Sequence, residues 1–376
     1  MTRDIPRQPW IERAKSNIRD IFDGKRKLAF RFEVLDPPVF MALEGLAATK
    51  SNKCAAILDH KLDLERQLAG LRRRFEMGFE DDFVYRLQPY TGCGFFASAL
   101  GCETVFPDNG DPITHKAISS LDELDSLRVD VKGSDLIRLT LDKIKYFLDE
   151  TNGEVPIAFP DLQSPLDTAS IVMDYGELMY SLLAEPKAVH TLLGMVTDAM
   201  EETLSLIGEL LPKQSPSPAW WLPRGIWLSD DLIAVVSPQQ YKDIAMPYAN
   251  RLSDIYGGVA LHSCGNPLAA VDVVREYHNL MALDFWEVTI RDFHDRGGDY
   301  ICSCCVVEDT WHNLDRRAVR RDPEEAVRDA LADLKKLPKH LDTPVLFWAV
   351  CPHPDYAAEY HATLSAIAAE ANTSPM

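Results

Sequence analysis

From about residue 155 onward the chain alternates short apolar runs with longer amphipathic stretches. Val155 to Phe159 reads as a strand, Asp167 to Leu211 as helical with a break at Pro186, and Gln214 to Pro218 as a loop by its composition. Trp220 to Leu228 is strand-like, with Pro223 and Gly225 placed to split it. Ser237 then supplies an N-cap, Pro238 a first helical position and Gln240 the third residue of a capping box, predicting a helix to about Tyr256. Gly258 to Cys264 is a strand, Asn266-Pro267 opens a helix to about His278, and Leu280 to Phe285 and Tyr300 to Val307 are further strands. A helix from Asp322 to near Pro338, a strand from Val345 to Cys351 and a helix from Asp355 to about Ala371 complete the series.

Strands that alternate with helices of this length imply a parallel sheet with right-handed crossovers. Six such strands follow residue 154, and Val39 to Leu43 and Phe83 to Leu87 are two earlier candidates, which makes the eight that close a barrel. The expected architecture is therefore an α/β fold, a (β/α)8 TIM-type barrel over residues 81–376. Residues 1–80, helical from 1 to 30 and again from Ile57 to Met77, form an amino-terminal helical elaboration packed on it.

Charge narrows the partners. Lys and Arg total 39 against 58 Asp and Glu, a formal charge of −19 and a pI near 4.9, which repels a phosphate backbone. Nucleic acid is excluded as an expected partner. The basic cluster Arg316, Arg317, Arg320 and Arg321 is interleaved with acids and reads as a solvated helix end. The longest apolar run, Val345 to Cys351, is far shorter than the ~18 to 20 residues that cross a bilayer. Met1 to Trp10 has no secretory pattern, so a cytoplasmic location with reduced thiols is expected.

The chemistry gathers late in the chain. His262 and Cys264 alternate on one strand, so both leave the same face near its carboxyl end, which in a barrel is the catalytic rim. Imidazole and thiolate together suit zinc. Cys351, which ends its strand and is followed by Pro352, is the favoured third donor, with Cys302, Cys304 and Cys305 as competitors and Cys304 held in reserve. Small thiols that merely fill a crowded interior remain the alternative for these cysteines. Asp230 and Asp231 stand where a strand hands over to the Ser237 helix and are candidate catalytic acids, of which at most one should face the pocket. Gly92-Cys93-Gly94-Phe95-Phe96-Ala97 formally fits the dinucleotide fingerprint, but Pro89 before it and Gly101 after it leave no strand-to-long-helix context.

At Ala260-Leu261-His262-Ser263-Cys264-Gly265-Asn266 the sequence resembles the uroporphyrinogen decarboxylase superfamily, specifically its corrinoid-dependent branch that includes the methylcobalamin:coenzyme M methyltransferases. Trp227 to Asp231, Ser237-Pro238-Gln239-Gln240-Tyr241, Met246-Pro247-Tyr248 and the Gly92 to Pro112 region are similar to that branch as well, so the likeness spans roughly residues 80–370. The resemblance implies a zinc held by His262, Cys264 and Cys351. It also implies a corrinoid co-substrate, as methylcobalamin or on a partner protein, whose methyl group is exchanged with a thiol or another small acceptor. The arginine-rich motif with which true decarboxylases grip porphyrin carboxylates has no counterpart in Phe40 to Gly45. Decarboxylation, or corrinoid or porphyrin binding without catalysis, are the alternatives to methyl transfer.

Overall fold

The computed structural model describes residues 9–34, 53–108, 110–297, 300–304, 307–308 and 323–373. Six strands form one parallel sheet: β1 (Leu28–Val34), β2 (Ile226–Ser229), β3 (Val259–Ser263), β4 (Leu280–Phe285), β5 (Ile301–Cys304) and β6 (Val345–Cys351), in the spatial order β1-β6-β5-β4-β3-β2. Two extended segments span the gap between the sheet's edges. Asp82 donates its amide to Phe30 of β1 (2.8 Å). Leu87 forms a parallel bridge with Ile157, and Gln163 another with Ser229 of β2. Strands and segments together make the eight-membered ring of a TIM-type barrel.

The helices that matter below are α1 (Pro9–Phe22), α2 (His60–Glu76), α3 (Asp135–Thr151), α4 (Pro165–Val172), α5 (Pro186–Gly208) and α6 (Ala357–Thr373). No helix among the described residues is long and apolar enough to cross a membrane. Strand alternation sorts the side chains. Phe30 and Phe32 of β1 face outward, where Phe32 stacks on Tyr360 of α6 (ring centroids 6.0 Å apart). Arg31 and Glu33 face inward, Glu33 accepting the indole N–H of Trp348 from β6 (3.1 Å).

The first strand lies where the sequence reading expected helix, and it moves the start of the barrel ahead of residue 81. Leu28 to Val34 pairs in register with Val345 to Cys351, so the barrel includes chain from the first 80 residues. Its signal was masked by Arg31 and Glu33, charged residues on what is here the barrel's interior face. Val39 to Leu43, Asp322 and the Arg316 to Arg321 cluster lie outside the described residues.

Elsewhere local chemistry explains where elements stop. The Ser237 capping box forms as expected, but the helix passes through a π turn at Tyr241–Ala245 and restarts at Met246. Pro247 has no N–H to continue the ladder and its ring crowds the preceding turn. The stretch after Pro267 yields only short turns, Leu268–Ala270 and Val271–Val274. The helical region after residue 164 breaks at Asp174 as well as near Pro186, because the Asp174 carboxylate caps Gly176 and Glu177. Gly92 and Gly94 of the formal fingerprint pack on a small hairpin: a Cβ at Gly94 would collide with Thr114. Only a single 3-10 turn, Ala97–Leu100, follows them.

Lys143 of α3 is fully enclosed, and its ammonium reaches Asp63 of α2 (2.7 Å) and the Tyr90 carbonyl (3.2 Å). Asp63→Ala would leave that charge unpaired, and a loss of about 3–5 kcal/mol is expected in urea unfolding. A loss below about 1 kcal/mol, the range of exposed pairs, would mean that the pair is solvated in practice.

Candidate metal centre

β2, β3, β4 and β5 are in register so that Ser229 pairs with His262, His262 with Asp284, and Asp284 with Ser303. Parallel strands in this stagger place those four side chains on one layer inside the barrel, near the carboxyl ends of their strands. The layer is wired by hydrogen bonds. The Trp220 indole N–H donates to Ser303 Oγ (3.1 Å), which donates to Asp284 Oδ1 (2.9 Å). Asp284 Oδ2 lies 2.8 Å from His262 Nδ1. This fixes the ring so that Nε2 points along the rim, 3.4 Å from Cys264 Sγ.

Asp231 completes the group. Its Oδ1 accepts the Cys264 amide (2.6 Å), and the ligand atoms of Asp231, His262 and Cys264 all lie within 4.8 Å of one another. Asp231 and Cys264 are exposed while His262 is partly buried, so the group opens to solvent at the barrel mouth. Its position is set by Asp167 of α4, whose two carboxylate oxygens accept the amides of Asp231 (2.6 Å) and Leu232 (2.9 Å). Burial and the neighbouring Asp230 push the Asp167 carboxyl well up.

Electrostatically the layer is acidic. Asp161, beside the group and bonded by Ser229 Oγ (3.0 Å), is raised by burial. Burial works to lower the His262 pKa, but its bonds to Asp284 and Cys264 outweigh that and hold it up at about 10. The Trp286 ring meets His262 edge-on (5.3 Å) and continues to Trp348 (6.2 Å), an apolar floor under the donors.

Of the residues singled out in the sequence, the structure brings His262, Cys264 and Asp231 together. It does not bring in Asp230, which turns away as expected for one of two adjacent acids. Asp230 is buried and accepts from Tyr241 Oη (2.6 Å), and burial lifts its pKa to about 6. Cys351 is also apart from the group. Trp348 holds the inward parity on β6, Cys351 has the outward one, and its buried thiol donates to the His353 carbonyl (3.1 Å). On β5 the inward position belongs to Ser303, not to Cys302; the Cys304 side chain and Cys305 lie outside the described residues. The sequence reading passed over Asp284, Ser303 and Asp161. Asp284 was legible as an acid inside the apolar run Leu280 to Phe285, an arrangement that burial makes costly without a partner.

Fold and donors together define a (β/α)8-barrel protein with a candidate metal centre at the carboxyl rim. Residues 90–210 match the family model described as uroporphyrinogen decarboxylase (URO-D), the superfamily that the His262 to Asn266 segment resembles. Among solved structures the chain is similar to a methyltransferase from Methanosarcina mazei, at 16% identity, covering 95% of this chain and 98% of that one with a TM-score of 0.60. That likeness is one of fold. No curated protein matches the chain.

Proposed function

We propose that the protein is a zinc-dependent methyltransferase of the corrinoid-using kind, moving a methyl group between a corrinoid and a thiol or other small acceptor. The observation that carries this reading is the convergence of one imidazole, one thiol and one carboxylate on the solvent-facing rim of the barrel. These are zinc's ligand types, and three donors with an open side suit a catalytic rather than a closed structural site. The support behind His262 also fits, since a carboxylate on the second ring nitrogen is the usual partner of a metal-binding histidine. The fold likeness to a methyltransferase agrees with the assignment.

His262 would bind through Nε2, Cys264 through Sγ, and Asp231 through the oxygen left free by the Cys264 amide. Zinc held there supplies a Lewis acid that lowers the pKa of an incoming thiol and keeps it as a thiolate. The chain's own residues prepare the place. Asp284 holds the Nδ1 side of His262, which would leave Nε2 as the nitrogen that binds the metal at the open mouth. Trp286 and Trp348 restrict water beneath the reacting atoms. A corrinoid docked at the open mouth would supply the methyl group, which would pass to the acceptor's sulfur lone pair while the electron pair of the broken bond stays with the corrinoid.

The test is metal analysis of purified protein together with the absorbance change of free methylcobalamin on addition of a small thiol. About one zinc per chain and thiol-dependent demethylation are expected. Metal-replete protein without turnover would reject methyl transfer, and protein that takes up no zinc would reject the centre. Because Cys351 is turned outward, Cys351→Ser should retain its zinc while Asp231→Ala loses most of it. The reverse result would restore the Cys351 ligand set that the sequence resemblance implies.

A further inference from the structure

A cavity of about 370 Å³ lies between α2 and the carboxyl-terminal half of β1, with Leu71, Phe79 and Phe83 among its apolar walls and Arg73, Arg74 and Arg86 among its polar ones. Three guanidinium groups surround the Phe83 ring: Arg74 at 4.2 Å, Arg86 at 4.7 Å and Arg31 at 4.8 Å from its centroid. Two carboxylates answer them. Glu33 pairs with Arg31 and stands 4.0 Å from Arg74, and buried Asp81 pairs with Arg74.

Arg86 is left over. It is 8% exposed and donates to the carbonyls of Val84 (3.2 Å), Pro218 and Ala219 (3.1 Å). Among the described residues no carboxylate lies within ion-pair distance of it. A buried cation held only by neutral carbonyls is costly, and here it faces a cavity in a chain whose net charge is −19. Arg73 adds an exposed second cation at the rim.

We propose that this cavity binds a small organic carboxylate, its charge facing Arg73, Arg74 and Arg86 and its apolar body resting against Leu71, Phe79 and Phe83. The volume falls in the range of small-molecule sites. A guanidinium fork matches a planar carboxylate with two parallel hydrogen bonds. One uncompensated buried charge favours a monoanion over a dianionic phosphate. The site is separate from the donors at His262 and does not depend on the metal reading.

The experiment is calorimetric titration of the full chain, with and without added zinc, using phenylacetate, its neutral isostere phenylacetamide, and phenyl phosphate. Phenylacetate is expected to bind saturably in both metal states and to raise the melting temperature, with phenylacetamide and phenyl phosphate at least about tenfold weaker. Arg86→Met should abolish the preference for the acid over the amide. Because that change also frees three carbonyls and threatens the fold, Arg73→Gln at the exposed rim serves as the second variant, expected to weaken phenylacetate about tenfold with unchanged circular dichroism. Equal binding of acid and amide, tighter binding of phenyl phosphate, no binding of phenylacetate, or an Arg73→Gln protein that binds it as well as the parent would each overturn the proposal.

Discussion

Cys264→Ser protein prepared with ample zinc is expected to hold almost none of it and to transfer no methyl group, while melting close to the parent. The thiol sits exposed on the rim, so exchanging sulfur for oxygen disturbs no packing. A hydroxyl is nevertheless a far poorer zinc donor than a thiolate. Asp284→Asn gives the graded version of the same result. An amide can still bond His262 Nδ1 but cannot hold its proton as a carboxylate does, and zinc affinity should fall about 10- to 100-fold. Competition with a chromophoric chelator measures both. Unchanged affinity in the Asp284 variant would separate that carboxylate from the metal.

The second large effect is structural and concerns the seam between β1 and the segment beginning at Asp82. Ladder bonds that a strand would normally supply come here from side chains. Asp82 Oδ2 accepts the Phe30 amide (2.9 Å) and Asp81 Oδ2 the Phe32 amide (2.7 Å). Asp82 also ties in Asn17 of α1 (2.7 Å) and Arg26 (3.5 Å), and it is 3% exposed. Asp82→Ala therefore orphans the buried Phe30 amide and removes the carboxylate partner of Arg26, and a loss of about 2–4 kcal/mol is expected, a large part of the total stability of an ordinary domain. Urea unfolding checks it. A change below about 1 kcal/mol would show that water replaces the carboxylate at the seam.

The strands after residue 154 were legible because barrel strands are buried on both faces and read as apolar runs between helix signals. β1 was not, since its inward positions carry Arg31 and Glu33, whose charges read as solvent-facing although they pair with each other inside the barrel. At the rim, the two-residue period of a strand put His262 and Cys264 on one face, and the same period foretold that only one of Asp230 and Asp231 would face the mouth. Cys351 stands apart from the group for a related reason. Its place at a strand's end was correct, but only the register against β1 and the inward Trp348 reveal which way that end points. Asp167 acts through backbone amides contributed by a distant segment, and no local pattern announces such a partner.

The pairing of β1 with β6 also bears on how the chain is made. Glu33 and Trp348 are 315 positions apart. At the usual pace of about 5–20 residues per second, β1 leaves the ribosome on the order of tens of seconds before its partner exists. Throughout synthesis it is an unpaired edge, the kind of surface on which nascent chains stick to one another. Arg31 and Glu33 then act as gatekeepers, making the waiting strand too polar to recruit a stranger before they are enclosed in the finished barrel.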